Sequence, residues 1–280
     1  MSSRVGILTS RAGGTTIKLR NGLRKFLDAE IVEMSRFFDD FDELRNYEVA
    51  LNYINSRQQI TLGSIAESMT TLINDVSTFM KCKSKAFVSF LMRRRGIPVP
   101  ETFILSHPYT EEKIEEILRR VRFPLIVKPN SGSCGKASIL VREEDDLRGV
   151  LDYISAIHEI PPVSEKIVVI QEYVKDARDL RAFFVGDEIV AVEERVKESG
   201  WKRNLAQGAH PERFELSEEQ KELIYRASEV LGVKYAGFDM LSGEENYILE
   251  VNPAPGLKIS EIHPGIFEKI AEFLKEEMRR

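Results

Sequence analysis

The sequence predicts a mixed α/β protein built from two or three lobes, and three observations carry that prediction. The chain has 280 residues, of which 42% are hydrophobic, enough for a large buried core and more than one small domain needs. Short apolar runs of strand type alternate with stretches of helical periodicity. Two pairs of those runs, Leu180 to Glu193 and Ala236 to Asn252, are broken by turn residues in the pattern of antiparallel hairpins.

Taken in order, Arg4 to Ser10 reads as a buried opening strand, and the Gly13-Gly14 turn leads into a mixed apolar and basic segment from Ile17 to Phe26. Glu48 to Ile54 reads as a second strand, while Glu67 to Leu72 and Asp75 to Met80 show no clear period. Residues 1–84 are expected to form a small N-terminal α/β lobe. Lys85 to Arg95 reads as a helix with Phe87, Phe90 and Leu91 at helical spacing and a stop at Gly96 with Pro98 beyond. Its three closing arginines complement the helix dipole and need no ligand.

A central unit over residues 85–171 is expected next. It holds strands at Phe123 to Lys128 and Ala137 to Val141 around a Gly/Ser loop, a helix from Glu144 to Ile157, and a strand from Val168 to Val174. Residues 172–280 form the last unit. Leu180 to Val185 pairs with Glu188 to Glu193 across Gly186-Asp187. Ser217 with Gln220 makes a capping box for a helix whose inner face is Leu223, Ile224, Ala227, Val230 and Leu231, ending at Gly232. The final helix starts near Pro264 and turns Ile266, Phe267, Ile270, Ala271 and Leu274 inward.

Composition narrows the function. With 40 basic and 45 acidic residues the formal charge is -5, so no global field favours nucleic acid. Cys82 and Cys134 make no disulfide framework, and no run of about eighteen apolar residues or secretory segment occurs, so a soluble cytoplasmic protein with no membrane partner is expected.

The second hairpin carries the chemistry. Glu250 and Asn252 share one face of their strand, because strand side chains alternate. Asp239, on the preceding strand, joins that face only if a bulge or the loop sets it opposite Glu250 rather than Leu249. Two carboxylates and an amide suit a hard cation such as magnesium that takes its other ligands from nucleotide phosphates. Lys128 closes an apolar strand and places an ammonium where a phosphate can meet it. The loop Asn130 to Lys136 has small residues that let backbone N–H groups approach phosphate, although it fits neither the P-loop nor the dinucleotide spacing. No Cys-His or Ser-His pair stands out; Cys82 and Cys134 read as packing and loop residues.

From about Lys85 to the C-terminus the chain resembles the RimK-like branch of the ATP-grasp ligases, on the strength of the hairpin, Glu250-Val251-Asn252 and the Pro255-Gly256 turn that follows. The resemblance is weak over the first eighty or so residues. It implies an ATP-grasp fold with an N-terminal pre-ATP-grasp domain (1–84), a central lid subdomain (85–171) and a C-terminal subdomain with the metal site (172–280). It also implies ATP and Mg2+ or Mn2+, two ions in all, with Asp239, Glu250 and Asn252 as metal ligands. Lys85 and Lys128 match the nucleotide lysines, Gln171, Glu172, Tyr173 and Val174 the segment that reads adenine, and Asp179 the ribose contact. The family's Arg-x-Asn meets Lys202-Arg203-Asn204 here, so either Lys202 replaces a phosphate-binding arginine or Arg203 shifts by one to do it. Asn204 then faces the triphosphate. Arg181 and Lys258 are candidates for a substrate carboxylate, and Arg181 equally for a structural ion pair.

The implied activity is ATP-dependent carboxylate–amine ligation through an acylphosphate, with release of ADP and phosphate. L-Glutamate is the expected amine, a coenzyme or protein-tail carboxylate the acceptor, and a homo-oligomer the expected assembly. The alternatives are a ligase that joins another amino acid to a carrier protein in lysine or arginine biosynthesis, and a non-catalytic ATP-binding sensor. Pro253-Ala254-Pro255-Gly256-Leu257 in place of a Met-Glu-Phe-like segment argues against the carrier type. Retention of all three metal-ligand candidates argues against the sensor.

Overall fold

Three sheets organise the chain, and the computed structural model describes residues 4–36, 41–54, 56–132, 137–158, 167–197, 200–201 and 208–280. The first sheet is built from β1 (Arg4–Thr9), β2 (Asp28–Glu33), β3 (Val49–Tyr53) and β4 (Thr71–Ile73), with α1 (Gly14–Leu23) between β1 and β2. Its order is β2-β1-β3-β4, and every pairing is parallel. β1 is buried on both faces, which is why it reads as a continuous apolar run. The edge strand β2, Asp28-Ala29-Glu30-Ile31-Val32-Glu33, escaped the sequence reading because acidic residues interrupt its apolar ones. Glu30 is held by Arg4 and by the Tyr47 hydroxyl. α2 (Ser64–Glu67) and α3 (Val76–Lys83) fill the stretch that showed no period.

α4 (Lys85–Arg94) runs as expected but does not turn its phenylalanines inward. Ala86, Val88, Ser89 and Met92 are buried, whereas Phe87 and Phe90 stand exposed. The rotation is set at the N-cap, where Ser84 accepts from the Phe87 N–H and Asn130 accepts from the Ala86 N–H. The helix's arginines are occupied without a ligand: Arg93 lies near Glu101, and Arg94 covers the Phe90 ring.

Next come β5 (Thr102–Ser106), α5 (Glu111–Leu118), β6 (Leu125–Pro129), β7 (Ile139–Val141), α6 (Glu144–His158) and β8 (Ile167–Glu172). They form an antiparallel sheet of order β5-β8-β6-β7 over a core that includes Phe103, Ile117, Leu125, Val127, Leu147 and Ile170. β5 and α5 were not read from the sequence; β5 is five residues wedged behind Pro98 and Pro100. Arg148 on α6 gathers Glu111 and Glu115 of α5 and its own Glu144.

The third sheet holds β9 (Arg178–Val185), β10 (Glu188–Val196), β11 (His210–Arg213), β12 (Tyr235–Ser242) and β13 (Asn246–Asn252), antiparallel in the order β11-β10-β9-β12-β13. Both predicted hairpins are present. α7 (Glu218–Leu231) begins at the Ser217 capping box and ends at Gly232 with φ +70°. α8 (Ile266–Arg279) buries Ile266, Ile270, Ala271, Phe273 and Leu274.

The third sheet's two faces differ. Leu180, Ala182, Phe184, Ala236, Phe238 and Met240 pack against α4 and α7. On the opposite face Phe183, Val185 and Tyr235 join the core shared with the first sheet, α1 and α8. Polar ties reinforce that joint. The Tyr53 hydroxyl lies 2.8 Å from that of Tyr235 and donates to the Pro255 carbonyl, and Asn74 bonds the backbone of Lys234, Tyr235 and Pro253. The turn after Asn252 is thus anchored to the N-terminal lobe. Among the described residues no helix is long and apolar enough to cross a membrane.

Candidate active site

A single bulge assembles the site. From the turn, Ser242 faces Asn246, Leu241 faces Tyr247 and Met240 faces Ile248, so a regular ladder would set Asp239 against Leu249. The register instead shifts between Asp239 and Met240, and Asp239 faces Glu250. Gly237 faces Asn252, so all three oxygen donors share one face.

The row continues across the sheet. Asp239 faces Arg181, and Arg181 faces Glu193, so four neighbouring strands present Glu193, Arg181, Asp239 and Glu250 side by side. Arg181 grips Asp239 as a fork, Nε to Oδ1 at 2.6 Å and Nη2 to Oδ2 at 2.8 Å. Arg195, one pleat along β10, pairs with Asp179 and approaches Asp239 at 3.4 Å. Burial alone would raise the Asp239 pKa, but Arg181 and Arg195 outweigh it and hold the group down at about 2. For Asp179 burial wins over Arg195, and its carboxyl is pushed up.

Above Glu250 and Asn252 lie three amines. α3 ends and α4 begins at Ser84, so Lys83 and Lys85 flank one corner. Asn130 clamps that corner to the end of β6: its side chain accepts from the Ala86 N–H and the Ser84 hydroxyl, and its carbonyl from the Lys85 N–H. Lys83 Nζ donates to Asn252 Oδ1 at 3.2 Å. Lys85 Nζ donates to the Gly132 carbonyl at 3.1 Å and sits 3.7 Å from Glu250 Oε2. Lys128 Nζ donates to Gln171 Oε1 at 2.8 Å, and Gln171 in turn donates to Thr102. Burial pushes the Lys128 pKa down to about 8 and that of Lys83 in the same direction, with Glu250 pulling both back.

The structure thus brings Lys85, Lys128, Gln171, Asp179, Arg181, Asp239, Glu250 and Asn252 together at one end of the third sheet and the facing end of β6 and β8. Glu172 closes β8 with its side chain exposed, and Tyr173 and Val174 follow in the link to β9. Asp179 is taken by Arg195, which leaves Glu172 the open carboxylate there. Lys258 is exposed in the short helical turn Lys258–Glu261. Lys202, Arg203, Asn204 and Cys134 lie outside the described residues. Cys82 packs in the core, and burial pushes its thiol up to about 12.

Three contributors escaped the sequence reading. Lys83 was passed over as a neighbour of Lys85. The second strand of the first hairpin reads from Glu188 only as far as Glu193 in the sequence. It runs to Val196, and Glu193 and Arg195 are its buried charges. Their spacing of two, continuing the apolar alternation, was the available signal.

The model of the RimK-like ATP-grasp domain matches residues 81–274. The chain belongs to that family. Among its relatives, the alpha-aminoadipate–LysW ligase LysX of Sulfurisphaera tokodaii is 32% identical over 251 residues, 85% of each chain. The tetrahydromethanopterin:alpha-L-glutamate ligase of Methanocaldococcus jannaschii is 31% identical over 216 residues, 73% of this chain and 71% of that one. The fold of this RimK-like protein matches D-alanine–D-alanine ligase from Bacillus anthracis complexed with ATP, with a TM-score of 0.73 over 100% of this chain and 98% of that one at 20% identity. The RimK-like chain is therefore an ATP-grasp ligase of the ADP-forming carboxylate–amine class.

ATP-grasp ligases use ATP with Mg2+, and the donors here fit such an ion. Among the described residues no three His, Cys, Asp or Glu side chains form a ready metal cage. Two carboxylates and an amide instead suit an ion that keeps water and phosphate oxygens among its ligands. Glu250 keeps a quarter of its side chain exposed beside a 3.7 Å ion pair with Lys85, whereas Asp239 is gripped by Arg181 at both oxygens.

Proposed function

We propose that this RimK-like ligase activates a substrate carboxylate with ATP and joins it to the amino group of an amino acid, L-glutamate, on a coenzyme or protein-tail acceptor. The observation that supports this is the convergence of three oxygen donors and three lysines at one end of the third sheet. Phosphoryl transfer is mostly positioning and charge stabilisation, and such a site supplies both. Lys85 and Lys128 hold phosphate oxygens, joined by Lys202 or Arg203, and Asn204 faces the triphosphate. Glu250, Asn252 and Asp239 hold two Mg2+ or Mn2+ ions, which when bound neutralise phosphate charge. The segment from Gln171 to Val174, the end of β8 and the start of the link to β9, reads adenine, Asp179 lies toward the ribose, and Lys258 takes a substrate carboxylate. The γ-phosphoryl group passes to the carboxylate, and the amine then displaces phosphate and leaves an amide.

The units 1–84, 85–171 and 172–280 are proposed as the domains of a cytoplasmic homo-oligomer whose size light scattering would report. The test of function is ADP release with Mg2+, ATP and L-glutamate against a panel of carboxylate acceptors, with Glu250→Gln as control. Acceptor-dependent ADP that is lost in the variant supports the reading; ATP binding without turnover under every acceptor sinks it. A second reading, another amino acid joined to a carrier protein, draws on the relative named for α-aminoadipate and LysW. Turnover with α-aminoadipate and none with glutamate would select it.

A further inference from the structure

Among the described residues of this face, Glu193 keeps a buried carboxylate oxygen that no donor reaches. It is 1% exposed, and its Oε2 has no hydrogen-bond partner. The neighbouring acids are occupied: Asp239 by Arg181, Asp179 by Arg195, and Glu250 by Lys85. An ionised carboxylate only accepts hydrogen bonds, and leaving a buried one without a donor is costly. We propose that Glu193 is the docking residue for the ammonium group of the amine co-substrate.

Partners and place both support this. At this end of the row Glu193, Asp239 and Asp179 face Arg181 and Arg195, and both guanidinium groups are committed to other acids, Arg181 as a fork on Asp239 and Arg195 to Asp179. An amino acid donor arrives as an ammonium with three N–H donors and supplies the donor that Glu193 lacks. Arg181, directly across the strand pair, keeps 14% of its side chain exposed, so the residue facing Glu193 on the next strand reaches solvent. Burial pushes the Glu193 carboxyl up to about 7 against the pull of Arg181 and Arg195, and an ammonium seated beside it would draw it back down. The seat lies two strands from Asp239 and three from Glu250, apart from the lysines that face phosphate.

The inference rests on the ligase reading, and its test separates the two. Wild type and Glu193→Gln are assayed for amide formation with the amino acid donor, and for hydroxamate formation with hydroxylamine, a neutral amine that needs no ammonium seat. Loss of a charged hydrogen bond predicts a donor KM raised roughly ten- to hundredfold in Glu193→Gln, with little change in the KM for ATP and with hydroxamate formation retained. Glu193→Asp should recover part of the donor affinity. An unchanged donor KM, or hydroxamate and amide formation falling by the same factor, overturns the proposal. Failure of wild type to form either product with any acceptor sinks the ligase reading and this inference with it.

Discussion

One face of the third sheet has two ends that share strands, pleat and register and yet do opposite things. At one end Phe183, Val185 and Tyr235 bury into the core of the N-terminal lobe. Two to four residues along the same strands, Asp179, Arg181 and Asp239 face the candidate site, joined by Glu193 and Arg195 from β10 and nearly as buried. Burying apolar surface is favourable by itself. Burying ion pairs is near neutral at best, because lost hydration offsets their attraction. The comparison assigns stability to the apolar end and chemistry to the charged one, with the Arg181 fork holding the costly end in place.

The largest effect should come from breaking the charged end. Asp239→Ala leaves Arg181 and Arg195 buried without their shared partner, which costs about 3–5 kcal/mol. Urea unfolding should show that loss, and ADP release should vanish with it, so here stability and activity fall together. Phe183→Ala at the apolar end should cost a similar 3–5 kcal/mol or so through the cavity it leaves, while the folded fraction keeps its KM for ATP. A shifted ATP KM in that variant would break the division between the two ends.

Lys128 sharpens the comparison through pH. Its folded pKa of about 8 lies below the ordinary 10.5, so between those values the unfolded chain binds the proton that the folded chain has released. Stability therefore rises with pH across that window. Relative to Lys128→Met, wild type should gain roughly 3 kcal/mol, read from unfolding curves at successive pH values; parallel pH profiles would contradict a desolvated amine. The smallest effect belongs outside the face: Phe90→Ser, on the exposed side of α4, should stay within about 0.5 kcal/mol of wild type by the same unfolding measurement.

The candidate site was legible wherever its signal was local. Glu250 and Asn252 announce themselves two residues apart before a rigid turn, and Lys128 ends an apolar strand. Phe87 and Phe90 misled because apolar spacing marks a face without saying which way the helix is turned. Ser84 and Asn130 decide that through hydrogen bonds to the helix's first turn. Glu193 and Arg195 were missed because a buried charge and a solvated one look alike until the partner strand is known.

The sequence by itself determined the hairpins, the capping box of α7, the strand period that aligns Glu250 with Asn252, and the family resemblance, all of which rest on neighbours along the chain. Only the tertiary structure decided that a bulge sets Asp239 opposite Glu250, that Arg181 forks onto Asp239, and that Lys83 reaches Asn252 from 169 positions away. Those outcomes depend on register, which one extra residue reverses, and on contacts between segments whose spacing in sequence carries no information about their approach in space.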